Sequence, residues 1–176
     1  TGVTTMLMDE GIDTGDILEI QKVAIGPDET AEELFKRLAD VSASLMASTL
    51  NKLENEEITP KKQTGEATYT TIIKKEMAKI DFSKPANEVH NAVRGFYSWP
   101  CAFFFLGGKR IKVIKTAIGE PCDKKSGYVI DYTDALCISC GKGTSIKILE
   151  LQPEGSKPMT AKQMLCGRPI EIGRSE

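Results

Sequence analysis

Polar and apolar positions first show a strand-like pattern in two runs near the start of the chain. Residues 3–8 (VTTMLM) are apolar and β-branched, and residues 17–25 (ILEIQKVAI) alternate with a period of two. A period of two is typical of a β-strand with one buried face. The segment MDEGIDTGD, residues 8–16, separates the two runs. The pattern therefore predicts a strand, an acidic turn and a second strand.

A helical pattern follows. Thr30 and Glu33 form a T-x-x-E capping box, which is a signature of a helix start. Apolar side chains then recur at spacings of three and four residues: Leu34, Leu38, Val41 and Leu45. The periodicity ends near Leu53 and gives way to ENEEITPKKQTGEAT, which has no apolar period and predicts a linker.

Beyond the linker the pattern is dominated by short strands. Residues 83–96 predict a short helix with Ser83 as its cap and Pro85 in its first turn. CAFFFL and KRIKVIKTAI are joined by Gly107-Gly108, a two-residue hairpin signal. GYVID, ALCISC and TSIKILEL add three strands, and MTAKQMLCG predicts a helical turn closed by Gly167. Five short strands with little helix indicate a small barrel or sandwich, of which an OB-like barrel is one form.

The change of pattern divides the 176-residue chain into two units. We predict an α/β fragment at residues 1–57, a linker at 58–68 and a mostly-β domain at 69–176. The second unit is large enough to fold alone, whereas two strands and one helix bury too little surface. The first unit is therefore expected to be the end of a larger α/β domain. Its sheet edge would be covered by an upstream part of the same protein or by a second copy.

Charge differs between the two parts of the chain. The formal net charge is −2, but residues 1–65 carry 6 Lys/Arg against 13 Asp/Glu, and residues 66–176 carry 17 against 12. A basic unit suits an anionic partner, although an uneven solvated surface explains the charges equally well. Five cysteines in a chain of this size indicate a reducing cytoplasm and not a disulfide framework. No apolar run approaches the ~18 residues of a membrane span, and TGVTT is unlike a signal peptide.

The acidic segment at residues 8–16 allows three interpretations. A calcium loop of the EF-hand type that starts at Asp9 would place Gly11, Thr14 and Ile20 at positions 3, 6 and 12. Two ligands and the required glycine are then missing, so no metal is expected. Turn chemistry alone favours a polar surface turn. Crowded carboxylates repel, however, which can raise the pKa of one of them and leave it usable as a general base or proton relay.

Basic residues cluster in KRIKVIK and in the linker. Arg110 and Lys112 share one face of the predicted strand. Phosphate contacts from such residues would position a nucleic acid without reading its sequence. Lysines that protect an edge strand from aggregation explain any single residue equally well. The candidates are Lys61, Lys62, Lys109, Arg110, Lys112 and Lys115.

Cys137-x-x-Cys140 has no second pair at metal-site spacing, and its segment has the composition of a strand. Redox pairs of this type open a helix after a strand. Two buried strand cysteines are therefore expected.

Three segments, in order along the chain, resemble methionyl-tRNA formyltransferases. TGVTTMLMDEGIDTGD is similar to that family's strand followed by a M-D-x-G-[LI]-D-T-G-D loop. TYTTIIKKEMAKIDFSKPANEVHNAVRGFYSWPCAF resembles its T-Y-x-x-K-I-x-x-E-x-x-x-I-D-W and R-x-F-x-P-W-P segments. LELQPEGSKPMTAKQML resembles its L-x-L-Q-P-x-G-K-x-x-M run.

The resemblance implies a fold and an activity. In this family a Rossmann-like formyltransferase domain precedes an OB-like domain that helps to hold tRNA. The formyl group passes from 10-formyltetrahydrofolate to the α-amine of initiator methionyl-tRNA, without a metal. Asp13 matches the family's catalytic aspartate. Asp9, Glu10, Gly11, Ile12 and Asp13 match the loop that lines the folate site.

The chain also departs from the family pattern. The family's catalytic Asn and His belong to an upstream N-x-H-x-S-L-L-P segment, which is absent from the 176 residues of this chain. His90 cannot replace that histidine, because it lies in the C-terminal part of the chain. We therefore expect this chain alone to be inactive, because losing two members of a catalytic unit usually costs several orders of magnitude in rate. Phe82 and Ser98 replace a Trp and a Pro, which suggests packing variations. Alternatives are a sugar-nucleotide formyltransferase, a formyltetrahydrofolate dehydrogenase and a non-catalytic RNA-binding barrel.

Overall fold

The computed structural model describes residues 1–131 and 133–167. The chain divides into two compact units, Thr1–Thr71 and Ile72–Glu176. None of the helices in the described residues is long and apolar enough to cross a membrane.

The first unit is a two-stranded antiparallel sheet with one long helix. The elements are β1 (Gly2–Met6), β2 (Ile17–Lys22) and α1 (Ala31–Glu54). The predicted start of α1 is confirmed, because Oγ1 of Thr30 accepts a hydrogen bond from the backbone N–H of Glu33 while Oε2 of Glu33 accepts one from that of Thr30. Leu45 and Thr49 are the buried side chains of α1, and Thr49 contacts the Thr5 hydroxyl of β1.

The segment predicted as a linker is partly paired. Lys61 forms an isolated antiparallel bridge with Ile17, the first residue of β2. The bridge consists of two backbone hydrogen bonds, from Ile17 N to Lys61 O (2.8 Å) and from Lys61 N to Ile17 O (2.9 Å). The chain after α1 therefore returns to the end of the acidic loop.

The second unit is β-rich. It begins with a short 3-10 helix at Lys75–Ala78 and α2 at Ala86–Gly95. The strands are β3 (Phe103–Leu106), β4 (Lys109–Ile118), β5 (Val129–Asp131), β6 (Leu136–Ser139), β7 (Ser145–Pro153) and β8 (Met159–Thr160), and α3 follows at Ala161–Gly167. The pairing order is β3-β4-β7-β6-β5, with β8 on β7. In the described residues this path is open at β3 and β5, so the sheet is not a closed barrel.

The five strands that the sequence predicts are confirmed as β3 to β7, whereas β8 and the 3-10 helix were not predicted. The hairpin at Gly107-Gly108 is also confirmed, with φ of 55° and 72° at these two residues. Positive φ at both central residues is the requirement of a type I′ turn, which glycine meets without strain. The prediction of Ser83 as the cap of α2 is wrong. Pro85 occupies the cap position, and the Ser83 amide donates to Oδ1 of Asp81 instead.

The core of the second unit lies between α2 and the inner face of the sheet. Val89 and Val93 of α2 are buried there. Phe82, which replaces the family's tryptophan, is 7% exposed and meets Phe104 edge-on, with ring centroids 5.5 Å apart. Such an aromatic pair explains Phe82 as a packing residue. The fully buried side chains of the sheet include Phe104, Leu136, Ile138, Ile146, Ile148 and Leu151.

Candidate functional site

The acidic loop between β1 and β2 is closed by its own hydrogen bonds. Leu7 N donates to Asp16 O at the neck of the loop (2.9 Å). Inside it, Oδ1 of Asp9 accepts hydrogen bonds from Oγ1 of Thr14 (2.6 Å) and from the amide of Gly11 (3.0 Å). The Thr14 hydroxyl, followed by the Gly11 amide, lowers the pKa of Asp9. Asp9 is therefore an ionised carboxylate that holds the loop together. It is not a carboxylate available to act as a catalytic base.

Asp13 lies in the same loop in an unusual backbone conformation. Its φ is 58°, in the left-handed region that few residues other than glycine adopt. Its side chain is exposed, and so are those of Glu10 and Ile12, the latter 91% exposed. Gly15 allows the loop to close, because a Cβ there would lie 1.6 Å from Leu7 O. The loop thus exposes the carboxylate of Asp13 and the apolar side chain of Ile12, both of which can contact a ligand.

Gln63 holds this loop from outside. Its Nε2 donates to the backbone carbonyl oxygens of Asp13 and Gly15, both at 2.8 Å. Gln63 was not among the predicted site residues because it lies in a segment without apolar periodicity. No local pattern could have identified it, since its partners are 48 and 50 residues away.

The predicted residues form two groups. Asp9, Glu10, Gly11, Ile12 and Asp13 share the one loop, and Lys61 joins them through its backbone bridge to Ile17. Lys62 follows Lys61 and is exposed. The other basic candidates lie on β4 of the second unit: Lys109, Arg110, Lys112 and Lys115.

On the β3–β4 hairpin, aromatic side chains of β3 and basic side chains of β4 share one face. Phe103 lies opposite Lys112 and Phe105 opposite Arg110, whereas Phe104 and Ile111 point to the core. The guanidinium of Arg110 covers the Phe103 ring at 3.8 Å from its centroid, and Nζ of Lys79 lies 5.6 Å from that of Phe105. The basic residues of this cluster were predicted from the sequence, whereas Phe103 and Phe105 were not.

A cavity of about 210 Å³ opens beside the stacked guanidinium. It is lined by Arg110, Lys112, Gln152, Pro153, Glu154 and Gly155. The buried Nε of Arg110 has no hydrogen-bond partner among the described residues. Lys109 and Lys115 are exposed, and Lys115 lies opposite Glu150 of β7. Two cations and an amide, beside the one carboxylate of Glu154, leave this cavity with a net positive lining that can hold an anionic group.

His90 and the cysteine pair lie inside the second unit. Nδ1 of His90 is 2.9 Å from Oγ1 of Thr116, and both residues are buried. Cys137 belongs to β6 and is half-buried, whereas Cys140 is buried. Within residues 1–131 and 133–167 no group of three or more His, Cys, Asp or Glu side chains could hold a metal ion.

Comparison with known proteins relates both units to one family. Residues 72–169 match the model of the formyl transferase C-terminal domain, and residues 1–50 match the formyl transferase model. The methionyl-tRNA formyltransferase of Thermodesulfovibrio yellowstonii is 43% identical over 173 residues, and that of Caldanaerobacter subterraneus subsp. tengcongensis is 41% identical over 175. Both alignments cover 98% of this chain and 56% of the relative. The chain therefore spans about half the length of the curated relatives it matches.

Solved structures of similar fold include three kinds of protein. An N-formyltransferase from Helicobacter canadensis, bound to folinic acid and dTDP-3-aminofucose, is 24% identical with a TM-score of 0.67, over 84% of this chain and 54% of that one. HypX from Aquifex aeolicus has a TM-score of 0.68 at 17% identity, over 98% of this chain and 31% of that one. Methionyl-tRNA formyltransferase from Clostridium thermocellum is 26% identical with a TM-score of 0.53, over 68% and 51%. Both units share the folds of these proteins, and the chain belongs to the formyl transferase family.

Proposed function

We propose that the protein represented by this chain transfers a formyl group from 10-formyltetrahydrofolate to the α-amine of initiator methionyl-tRNA, in the cytoplasm. The observation that carries the proposal is the loop in which Asp13 is exposed, at the position that the resemblance gives to the catalytic aspartate. The loop lies in the segment that matches the formyl transferase model. The relatives of this chain, at 38–43% identity, are methionyl-tRNA formyltransferases.

The chemistry requires a group that accepts a proton. The amine nitrogen attacks the formyl carbon, a C–N bond forms, and the carbonyl oxygen becomes an oxyanion. The attacking nitrogen then loses a proton. The oxyanion collapses to a carbonyl group as the bond between the formyl carbon and N10 of the folate breaks, and N10 leaves with a proton. An exposed carboxylate such as Asp13 can accept or relay the first proton. The neighbouring loop residues Asp9, Glu10, Gly11 and Ile12 would line the pterin.

The upstream Asn and His of the family would complete the site by stabilising the oxyanion and shuttling the proton. We propose that they belong to an upstream segment of the protein, which also covers the free edge of the β1–β2 sheet. The isolated 176-residue chain should therefore show no turnover.

We propose further that the β-rich unit is an OB-like domain that holds the tRNA through its phosphates. Support comes from Arg110 and Lys112, which line one cavity on the face that carries Phe103. Positive side chains on a rigid sheet would fix the orientation of the tRNA without reading its sequence. Lys109 and Lys115 would extend this surface, and Lys61 and Lys62 would supply contacts near the acidic loop.

Asp13→Asn in the protein at the length of its relatives tests the catalytic role. Transfer of radiolabelled formyl to methionyl-tRNA should fall by several orders of magnitude, because the amide cannot accept the proton. Asp40→Asn, which changes an exposed carboxylate of α1, is the matched control and should retain full activity. Activity of the Asp13 variant within a few-fold of the unchanged protein would refute the role.

A sugar-nucleotide acceptor is the second candidate, because the similar Helicobacter canadensis structure contains dTDP-3-aminofucose. Turnover of methionyl-tRNA and of an amino-sugar nucleotide, measured side by side, separates the two acceptors. The third candidate, a non-catalytic RNA-binding module, predicts no folate binding. Folate binding that is lost on Asp13→Ala would exclude it.

A further inference from the structure

Gln63 is attached to the acidic loop by both protons of its amide. Nε2 donates to the carbonyl oxygens of Asp13 and Gly15, each 2.8 Å away. A primary amide carries two N–H donors, so one side chain satisfies both carbonyl groups. Carboxylate, thioether and hydroxyl side chains cannot make this pair of bonds. The contact therefore requires a side chain with at least two N–H donors, which the amide of Gln63 supplies without adding a charge.

The backbone near Gln63 is fixed independently of its side chain. Two residues earlier, Lys61 exchanges two backbone hydrogen bonds with Ile17, directly after the loop. The neck of the loop is closed by the bond from Leu7 N to Asp16 O. Gln63 thus reaches the loop from a segment whose backbone is anchored at Lys61. Little conformational entropy is therefore lost when its amide binds the loop.

The two carbonyl groups that Gln63 binds lie on either side of Thr14. Holding them fixes the orientation of the peptide planes that follow Asp13 and Gly15. Asp13 has a left-handed φ of 58°, a region that aspartate adopts more readily than most residues but still at a steric cost, so contacts with neighbouring groups stabilise it there. Because the Asp13 carbonyl group rotates with the ψ angle of Asp13, the amide of Gln63 helps to hold the backbone from which the Asp13 carboxylate projects.

We propose that Gln63 is a positioning residue for Asp13 in formyl transfer, an inference that rests on the proposed function. The same segment carries Lys61 and Lys62, the proposed RNA contacts nearest to the loop. Acceptor binding at these lysines restrains the segment that holds the catalytic loop. Changing Gln63 should therefore reduce kcat, whereas changing Lys62 should raise KM for the tRNA.

The test uses Gln63→Met and Gln63→Glu in the protein at the length of its relatives. Met keeps the volume of Gln without the donors, and Glu adds a charge that faces two carbonyl oxygens. We expect kcat to fall roughly 10- to 100-fold in Gln63→Met with KM for tRNA nearly unchanged, since small misplacements of a catalytic group cost about this much. Gln63→Glu should be lower still. Gln21→Met, at an exposed glutamine of β2, is the matched control and should be unaffected.

Hydrogen exchange gives a readout that does not depend on activity. In Gln63→Met, exchange should rise at the amides of Gly11 and Leu7 in the closed loop, whereas the Ile17 amide, held by the backbone bridge to Lys61, should keep its protection. The amides of α1 should keep their protection, whereas a general loss of stability would raise exchange throughout the unit. A kcat within two-fold of the unchanged protein would overturn the positioning role. Full activity of Asp13→Asn together with loop opening in Gln63→Met would instead refute the proposed role of Asp13. The structural role of Gln63 in holding the loop closed would then still stand.

Discussion

The guanidinium of Arg110 lies over the ring of Phe103, with its central carbon 3.8 Å from the ring centroid. Stacking on an aromatic face suits arginine because its cation is planar and weakly hydrated. The stack restricts the rotamers of a long side chain, and the N–H edge stays free to bind an anion. The buried Nε without a partner in the described part of the chain indicates that the geometry is set by the ring and not by a polar neighbour.

Arg110→Ala should therefore weaken tRNA binding and reduce its dependence on salt. Losing one phosphate contact lowers the slope of log K against log salt by about 0.9 in magnitude. Arg110→Lys keeps the charge but not the planar stack, so its affinity should be intermediate. Filter binding over a range of salt concentrations measures both quantities. Lys124→Ala, at an exposed lysine between β4 and β5, is the control, and a slope unchanged in Arg110→Ala would remove this contact from the interface.

A second prediction concerns the acid stability of the first unit. The ion pair with Lys52, followed by the hydrogen bond from Thr49, lowers the pKa of Glu19 below its ordinary value of 4.5. A lowered pKa in the folded state means that Glu19 stabilises the fold above pH 4.5, and that this contribution disappears as the pH falls through the folded pKa. Protection of the α1 amides from hydrogen exchange should thus decline on acidification below about pH 4.5.

Glu19→Gln separates this contribution from general acid denaturation. The variant should be less protected than the unchanged protein at pH 7 and should lose less protection on acidification. Glu54→Gln alters an exposed carboxylate at the end of the same helix and should leave the pH profile unchanged. Identical pH profiles for the Glu19 variant and the unchanged protein would show that the pair with Lys52 contributes nothing.

Two glycines of the second unit should respond in opposite ways to alanine. A Cβ on Gly141 would lie 1.9 Å from the carbonyl oxygen of Ser83, and the Gly141 amide donates to Lys84 O at 2.9 Å. Both neighbours are backbone atoms, so Gly141→Ala should lower the free energy of unfolding by about 2–3 kcal/mol. Gly95 ends α2 with no atom within 4 Å of such a Cβ. Gly95→Ala should raise the free energy of unfolding by about 0.5–1 kcal/mol.

Urea unfolding followed by circular dichroism measures both changes. A urea midpoint of Gly141→Ala equal to that of the unchanged protein would show that the backbone at Ser83 moves away from the added methyl group without a cost in stability. The opposite signs make the pair informative, because a general effect of added methyl groups would move both midpoints in one direction.

Local chemistry made part of the fold predictable. The capping box at Thr30 and Glu33 needs only four consecutive residues, and the Gly107-Gly108 turn determines the pairing of the strands that flank it. That register places Phe105 opposite Arg110 and Phe103 opposite Lys112, so the aromatic and basic face of the β3–β4 hairpin was available from the sequence once the turn was recognised. Ser83 failed as a cap because α2 begins at Ala86, which places Pro85 at the cap position and Ser83 two residues too early.

The contacts that shape the acidic loop are not local. Gln63 reaches Asp13 across 50 residues, and a single amide in a segment without periodicity leaves no pattern. The turn chemistry of residues 8–16 predicted a polar loop but could not give the left-handed φ of Asp13. Likewise, β8 has two residues, which is too short for an alternation to be visible. In each case the conformation of a segment depends on contacts with residues elsewhere in the sequence, which the segment's own residues do not reveal.

The five cysteines should differ widely in their rates of alkylation. Cys166 is exposed, Cys122 and Cys137 are half-buried, and Cys101 and Cys140 are buried. Burial, reinforced by the nearby Cys122, raises the pKa of Cys140 to about 12. At pH 8 the thiolate of Cys140 is then present in about one molecule in 10⁴, and the thiolate is the species that reacts.

Iodoacetamide at pH 8, with the modified positions identified by mass spectrometry, should therefore label Cys166 first and Cys140 only after denaturation. Cys166→Ser removes the fast phase and should leave the order of the others unchanged. A metal-bound or oxidised Cys137–Cys140 pair would behave differently, because both residues would be protected together and released together by a chelator or a reductant. Labelling of Cys137 well before Cys140, with no effect of either reagent, is the result expected if the two are independent cysteines of the sheet.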